Sequence, residues 1–197
     1  MLLNFYTRSR VAFVAGITRV SARIGLNPVE FKRFVKFGFV GIMGALVDFT
    51  TYNLLLTPFA FLFSTATLGG TWLAARGLND DQLFTAGTVA AGTVSFLLAI
   101  LSNFVWNRYW TYPDSRSKSL RRQFGQFFII NVSGILIRLP VIALTRHLFT
   151  NLLESLRLAA TQADRLGSNL ALALAVAIVM FWNFFANRYW TYNDVSQ

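Results

Sequence analysis

The chain contains no cysteine and one histidine, and only 13% of its 197 residues are charged. Without cysteine, neither a disulfide nor a thiolate metal site can form, and the redox compartment stays open. The lone His147 and the neighbouring pair Asp80-Asp81 do not make the aspartate and histidine clusters that metal-dependent transferases use. No glycine-rich loop precedes a lysine in the manner of a phosphate-binding turn. Composition and motifs therefore argue against an enzyme, and no cofactor is implied. The N-terminus lacks a convincing small-residue cleavage site after its short uncharged run Val11–Thr18, so it reads as a retained segment.

What the chain has instead is apolar surface. Hydrophobic residues make up 55%, twenty of them phenylalanine, and mean hydropathy is +0.50. That is more than a small soluble core can bury. A bilayer core is roughly 30 Å thick and takes about 20 helical residues to cross, and the sequence offers four runs of that kind. They are Phe34–Leu56, Leu83–Trp106, Phe124–Leu144 and Asn169–Phe185. The net charge of +10 would suggest nucleic acid in a soluble domain. Here the bases lie between the apolar runs, which points to anionic headgroups and topology signals, with no nucleic-acid partner.

Residues 1–27 carry Arg8, Arg10, Arg19 and Arg23 beside Phe13, Ile17, Val20 and Ile24 at helical spacing, the pattern of an amphipathic helix on a membrane surface. Gly25–Pro28 break it. Asn27 then reads as an N-cap, Pro28 as the first helical residue and Glu30 as the capping-box partner. In the first span Gly38, Gly41 and Gly44 recur every three residues, and in the second Gly87, Ala91 and Ser95 every four, both suited to close helix contact. Pro58 and the polar residues after it predict the end of the first span, followed by a long loop to about Asp81 with room for a short interfacial segment around Trp72. A second connecting segment, His147–Leu166, has the composition of a short amphipathic helix.

One stretch occurs twice. Asn103–Asp114 and Asn183–Asp194 agree at nine of twelve positions at an offset of 80, and both contain Asn-Arg-Tyr-Trp-Thr-Tyr. The likeness extends upstream: aligning Phe34 with Phe124 pairs Phe37 with Phe127, Gly44 with Gly134 and Asp48 with Arg138. The predicted fold is therefore an all-α integral membrane protein. It has four transmembrane helices built as two parallel two-helix repeats, about 31–114 and 121–194, within a membrane domain 28–197 preceded by the amphipathic extension. Thirteen Lys and Arg fall on the side that holds both termini and both motifs and four on the other, with Arg138 inside a span. That bias places the termini and motifs in the cytoplasm and the chain in the cytoplasmic membrane.

The motif offers two readings. Arg108 and Arg188 with the Tyr and Trp after them suit interfacial anchors. Alternatively, the planar guanidinium fork suits phosphate, the Asn103/Asn107 and Asn183/Asn187 pairs suit hydroxyls or phosphate oxygens, and Trp110 and Trp190 suit the apolar face of a sugar. Asp48 and Arg138 lie at matched depths in their spans, where an unshielded charge costs roughly 2.5–3.5 kcal/mol or more. They read either as an ion pair locking the halves or as polar waypoints for a headgroup.

Arg33-Phe34-Val35-Lys36-Phe37-Gly38-Phe39-Val40-Gly41 with Gly44 and Asp48, together with Asn103–Tyr112 and Asn183–Tyr192, resembles the GtrA-like family over about Phe31–Asp194. The resemblance implies a small four-span membrane protein. It also implies translocation of polyprenyl-phosphate-linked sugars to the outer leaflet for cell-surface polysaccharide or glycolipid synthesis. Residues 1–27 extend beyond that pattern. The alternatives are a membrane adaptor that positions a glycosyltransferase and moves nothing, and a small ion or metabolite transporter. The thin four-helix wall and small-residue stripes predict a homo-oligomer, most simply a dimer.

Overall fold

The computed structural model describes residues 15–23, 27–115 and 117–195. Residues 15–23 form a short helix, α1, with Ile17 and Ser21 buried and Val20 exposed; the rest of the expected amphipathic segment lies outside the described residues. The helices that follow are α2 (Pro28–Leu62), α3 (Leu68–Ala74), α4 (Asp80–Trp106), α5 (Leu120–Ser155) and α6 (Ala160–Ala186). Five-residue π-helical segments, π1 (Asn107–Thr111) and π2 (Asn187–Thr191), continue α4 and α6. No strand occurs among the described residues.

Four of these helices are long and apolar enough to cross a membrane: Pro28–Leu62, Asp80–Thr111, Leu120–Ser155 and Ala160–Thr191. At 1.5 Å per residue, 32 to 36 residues reach about 50 Å, well past a hydrocarbon core of about 30 Å. The excess length explains where the sequence-based boundaries fall short. Pro58 does not end the first span; α2 runs on to Leu62. Proline removes one helical donor, which a membrane helix tolerates. The actual stop is a set of caps, with Phe63 N donating to Phe59 O at 3.0 Å and Thr67 Oγ1 to Leu62 O at 2.6 Å. Likewise, no separate helix occupies the segment after His147. Instead α5 continues to Ser155, residues 156–159 turn the chain with Arg157 at φ 66°, and α6 begins at Ala160. The charged residues there belong to helix ends: Arg146 of α5 meets Asp164 of α6 at 2.9 Å, an exposed pair of small energetic weight.

The start of α2 follows expectation in part. The Asn27 side chain accepts from Val29 N at 2.8 Å with Pro28 at the first helical position. Glu30 is engaged by Arg33 Nη1 at 2.6 Å. A full capping box stands at α4 instead, where Gln82 N donates to Asn79 Oδ1 (2.9 Å) and Asn79 N to Gln82 Oε1 (3.0 Å). The expected short segment around Trp72 is present as α3, with the Arg76 guanidinium 3.3 Å from the Trp72 ring centroid.

The chain divides into two compact units, Met1–Thr111 and Tyr112–Gln197. In the first, α2 packs on α4 through the buried stripe Gly87, Ala91, Ser95 and Ala99. A Cβ on Gly87 would come within 2.9 Å of the Phe59 carbonyl oxygen, so the backbones approach as closely as glycine permits. In the second, α5 packs on α6 through Ala163, Gly167, Ala171 and Ala175, and a Cβ on Gly167 would lie 2.8 Å from Thr150 N. The glycine stripe of α2 is only partly used: Gly44 faces the Asn103 side chain, whereas a Cβ on Gly41 would meet nothing within 4 Å. Large apolar side chains point outward along these helices, among them Ile42, Phe49, Leu54, Leu136, Leu144 and Leu148. An apolar exterior wound around small residues is the pattern of helices solvated by lipid.

Candidate functional site

The buried polar residues gather at the π-helical ends. Asn107, Arg108 and Thr111 are buried in π1, and Asn187, Arg188 and Thr191 in π2. A π-turn shifts each amide to the carbonyl five residues back, as in the 2.8 Å bond from Tyr192 N to Asn187 O, and such turns recur at functional sites. Here the turn draws the arginine and the asparagine before it inward and leaves Tyr109, Trp110, Tyr189 and Trp190 on the outside. The outward aromatics fit headgroup depth. Tyr112 and Tyr192 do not share that role: both are fully buried and stack at 4.4 Å within the second unit.

In the first unit, Asn103 is half-buried against Gly44, where a Cβ would overlap its carboxamide. Its Oδ1 has no hydrogen-bond partner. One turn on, Asn107 Oδ1, Arg108 Nε and Nη1, and Thr111 Oγ1 are also buried and unpartnered. Arg108 is only 8% exposed. A buried guanidinium without acceptors carries a large desolvation penalty that only an anion or a set of carbonyls can offset. Its place in the last turn, at the negative pole of the helix, offsets only part of that cost. Lys36 of α2 braces the same turn, donating from Nζ to Trp110 O at 2.7 Å with its ammonium 5.0 Å from the Trp110 ring. Beside it, Phe39, Val40, Met43, Trp106 and Trp110 line an apolar cleft.

In the second unit, Asn183 faces Gly134, and its Oδ1 is unpartnered like that of Asn103. Beyond it Asn187, Thr191 and Arg188 of the motif are engaged. Asn187 Nδ2 donates to Asn183 O (2.8 Å), Thr191 Oγ1 to Asn187 Oδ1 (2.9 Å) and Arg188 Nη1 to Tyr192 O (3.2 Å). Lys118 Nζ donates to Trp190 O at 2.6 Å, and burial holds its ammonium below the usual lysine range, with Asp194 acting against that and Arg122 adding to it.

A serine clasp finishes this end. Asp194 accepts from Ser115 Oγ (2.5 Å), Ser117 Oγ (2.5 Å) and Ser117 N (2.9 Å), while buried Gln123 donates to Ser115 Oγ at 2.7 Å. Burial pushes the Asp194 carboxyl up, but these hydrogen bonds outweigh it and hold the group below its ordinary range.

The charged residues deep in the spans stand apart from the motif. Asp48 on α2 is half-buried and accepts from Ser95 Oγ at 2.6 Å. Arg138 is exposed on the surface of α5. Sequence reasoning passed over Lys36, Thr111, Thr191, Gln123 and the serine clasp. Two of those had a visible signal: Thr111 and Thr191 recur within the motif. Asp194 recurs too, as the counterpart of Asp114.

Residues 36–192 match the GtrA/DPMS transmembrane domain, and no curated protein matches the chain. Four membrane-length apolar helices and a family match over most of the length agree: this is a multi-pass membrane protein, and it belongs to the GtrA-like family.

Proposed function

We propose that the protein moves a polyprenyl-phosphate-linked monosaccharide from the cytoplasmic to the outer leaflet of the cytoplasmic membrane, for cell-surface polysaccharide or glycolipid synthesis. Family membership suggests involvement in lipid-linked sugar transport at the coarser level. The observation that supports the finer reading is Arg108, buried with two guanidinium nitrogens unpartnered. A phosphate supplies the acceptors this group lacks, and Arg grips phosphate with paired, charge-assisted bonds. Asn103 and Asn107, with orphaned carboxamide oxygens, suit sugar hydroxyls, and exposed Trp110 suits the apolar face of a sugar or the headgroup boundary. The cleft of Phe39, Val40, Met43, Trp106 and Trp110 suits the first isoprenyl units.

Asp48 and Arg138, each deep in its own span, serve in this reading as polar waypoints for the headgroup while the lipid tail stays in the bilayer. The excess of Lys and Arg on one side supports cytoplasmic termini and a cytoplasmic capture site. The apolar outward face of the two-helix units suits a homo-oligomer, most simply a dimer.

The test is transfer of a labelled polyprenyl-phosphate hexose in reconstituted liposomes. Wild type transfers the headgroup. R108Q, folded and inserted, slows transfer at least about tenfold, the equivalent of one charge-assisted bond to phosphate. Transfer by R108Q at the wild-type rate removes the proposed role of Arg108. A purified wild type that moves nothing favours an adaptor that positions a glycosyltransferase through the exposed Arg121 and Arg122 beside the serine clasp.

A further inference from the structure

The two copies of Asn-Arg-Tyr-Trp-Thr-Tyr are identical as sequence, yet their side chains stand in different states. In π2 the asparagine, the threonine and the arginine satisfy one another and the backbone: Thr191 Oγ1 to Asn187 Oδ1, Asn187 Nδ2 to Asn183 O, Arg188 Nη1 to Tyr192 O. In π1 the counterparts Asn107 Oδ1, Thr111 Oγ1, Arg108 Nε and Arg108 Nη1 are buried and have no partner. Asn107 and Thr111 are each 2% exposed, so water does not take the place of the missing bonds. The same residues in the same kind of turn are thus able to close on themselves, and in the first unit they do not.

We propose that the motif copies divide labour: the first is the receptor for the headgroup and the second is a structural clasp. The inference rests on the phosphate-sugar reading above and narrows it to one arginine. The chemistry of the orphaned atoms also says what the ligand must carry. Arg108 has donors that need acceptors, which phosphate oxygens provide. Asn107 Oδ1 is an acceptor that needs a donor, which ionised phosphate lacks and a sugar hydroxyl has. Thr111 Oγ1 serves either way. A phosphosugar satisfies this set, whereas a bare polyprenyl phosphate brings no donor of its own for Asn107 Oδ1. Buried polar sites discriminate strongly against analogues that leave a group unmatched.

The clasp role of the second copy follows from what surrounds it. Arg188 ties the π-turn to the carbonyl of Tyr192, whose ring stacks on Tyr112. Lys118 and Asp194 close the turn from outside. Opening Arg188 to a ligand would break bonds the turn is built on, whereas Arg108 has none to break.

Wild type, R108Q, R188Q and N107A in nanodiscs test this by two readouts: thermal unfolding without added lipid, and native mass spectrometry of retained polyprenyl phosphate or polyprenyl-phosphate hexose. R108Q is expected to unfold at or above the wild-type midpoint, since it removes a buried unpaired charge, and to retain at least tenfold less of either lipid. R188Q is expected to lower the midpoint by about 2–4 °C or more, with retention per folded molecule within twofold of wild type. N107A lowers retention of the hexose-bearing lipid and leaves that of polyprenyl phosphate unchanged. Should R188Q not fold, R188K takes its place in both readouts. A folded Arg188 variant that loses retention as R108Q does, in a wild type that binds, overturns the division of labour alone. A wild type that retains neither lipid overturns the function proposed above and the receptor role of Arg108 with it. In that case an R108Q midpoint at or above wild type and a lowered R188Q midpoint still support Arg188 as a clasp.

Discussion

Ser95 on α4 donates its hydroxyl to the Asp48 carboxylate on α2 at 2.6 Å, inside a stripe otherwise made of Gly and Ala. The contact places the half-buried carboxylate of α2 against a helix–helix seam, where small residues leave room for it. Removing the donor leaves a charge with less solvation. S95A should cost about 1.5–3 kcal/mol, the range for hydrogen bonds to charged groups. D48N keeps the seam and removes the charge, so it should fold while transferring headgroup more slowly. Unfolding in mixed detergent and the liposome assay separate the two effects, and an S95A protein as stable as wild type would show that the bond contributes nothing.

The glycines of the seams should not respond alike to alanine. At Gly87 the added Cβ meets the Phe59 carbonyl oxygen at 2.9 Å, and at Gly167 the Thr150 amide nitrogen at 2.8 Å; neither is a side chain that can turn away. Each substitution should cost about 1–3 kcal/mol through forced separation of the helices. G41A meets nothing within 4 Å and should be neutral or stabilise by up to about 1 kcal/mol through helix propensity. Parallel unfolding curves of the three variants give the comparison.

The serine clasp should open in acid. The folded Asp194 carboxyl titrates below its ordinary range because Ser115 and Ser117 outweigh the effect of burial. A depressed folded-state pKa means the clasp contributes its full stability above the unfolded value of about 3.9 and loses it as pH falls through the lower, folded value. Stability should therefore decline below about pH 4, and D194N should flatten that part of the profile. A D194N profile that follows wild type through the acid range would assign the decline to other groups.

Lys36 holds the Trp110 turn by a 2.7 Å bond to its carbonyl oxygen and by its position over the indole. K36M should cost about 1–2 kcal/mol. It should also loosen the Trp110 side of the apolar cleft, read as weaker retention of polyprenyl phosphate, whereas K36R should retain most of both. Equal retention in K36M and wild type would remove the cleft from the binding surface.

Helix existence was legible because four apolar runs separated by bases have few physical solutions: lipid excludes water, so each run must satisfy its own backbone. Helix length was less so. Charged residues such as Glu154 and Asp164 read as part of a connecting segment with a short amphipathic helix of its own, yet they sit on the ends of helices longer than a bilayer crossing needs, and Pro58 reads as a stop although a single lost donor does not end a membrane helix. The π-turns left no periodic trace in five residues, and the serine clasp joins residues 77 to 79 positions apart, beyond any local pattern.

For the candidate site, the repeated motif by itself singled out both arginines, both asparagine pairs and the interfacial tryptophans as candidates, since only their spacing and kind were needed. It made the two copies equal. Tertiary structure separates them, because whether a buried donor is satisfied depends on which atoms lie within about 3 Å and not on which residues are neighbours in the chain. Arg188 finds the carbonyl of Tyr192, while Arg108, in an identical hexapeptide, is buried with Nε and Nη1 lacking an acceptor. That difference of partners between two identical Asn-Arg-Tyr-Trp-Thr-Tyr segments is what the fold adds to the chain.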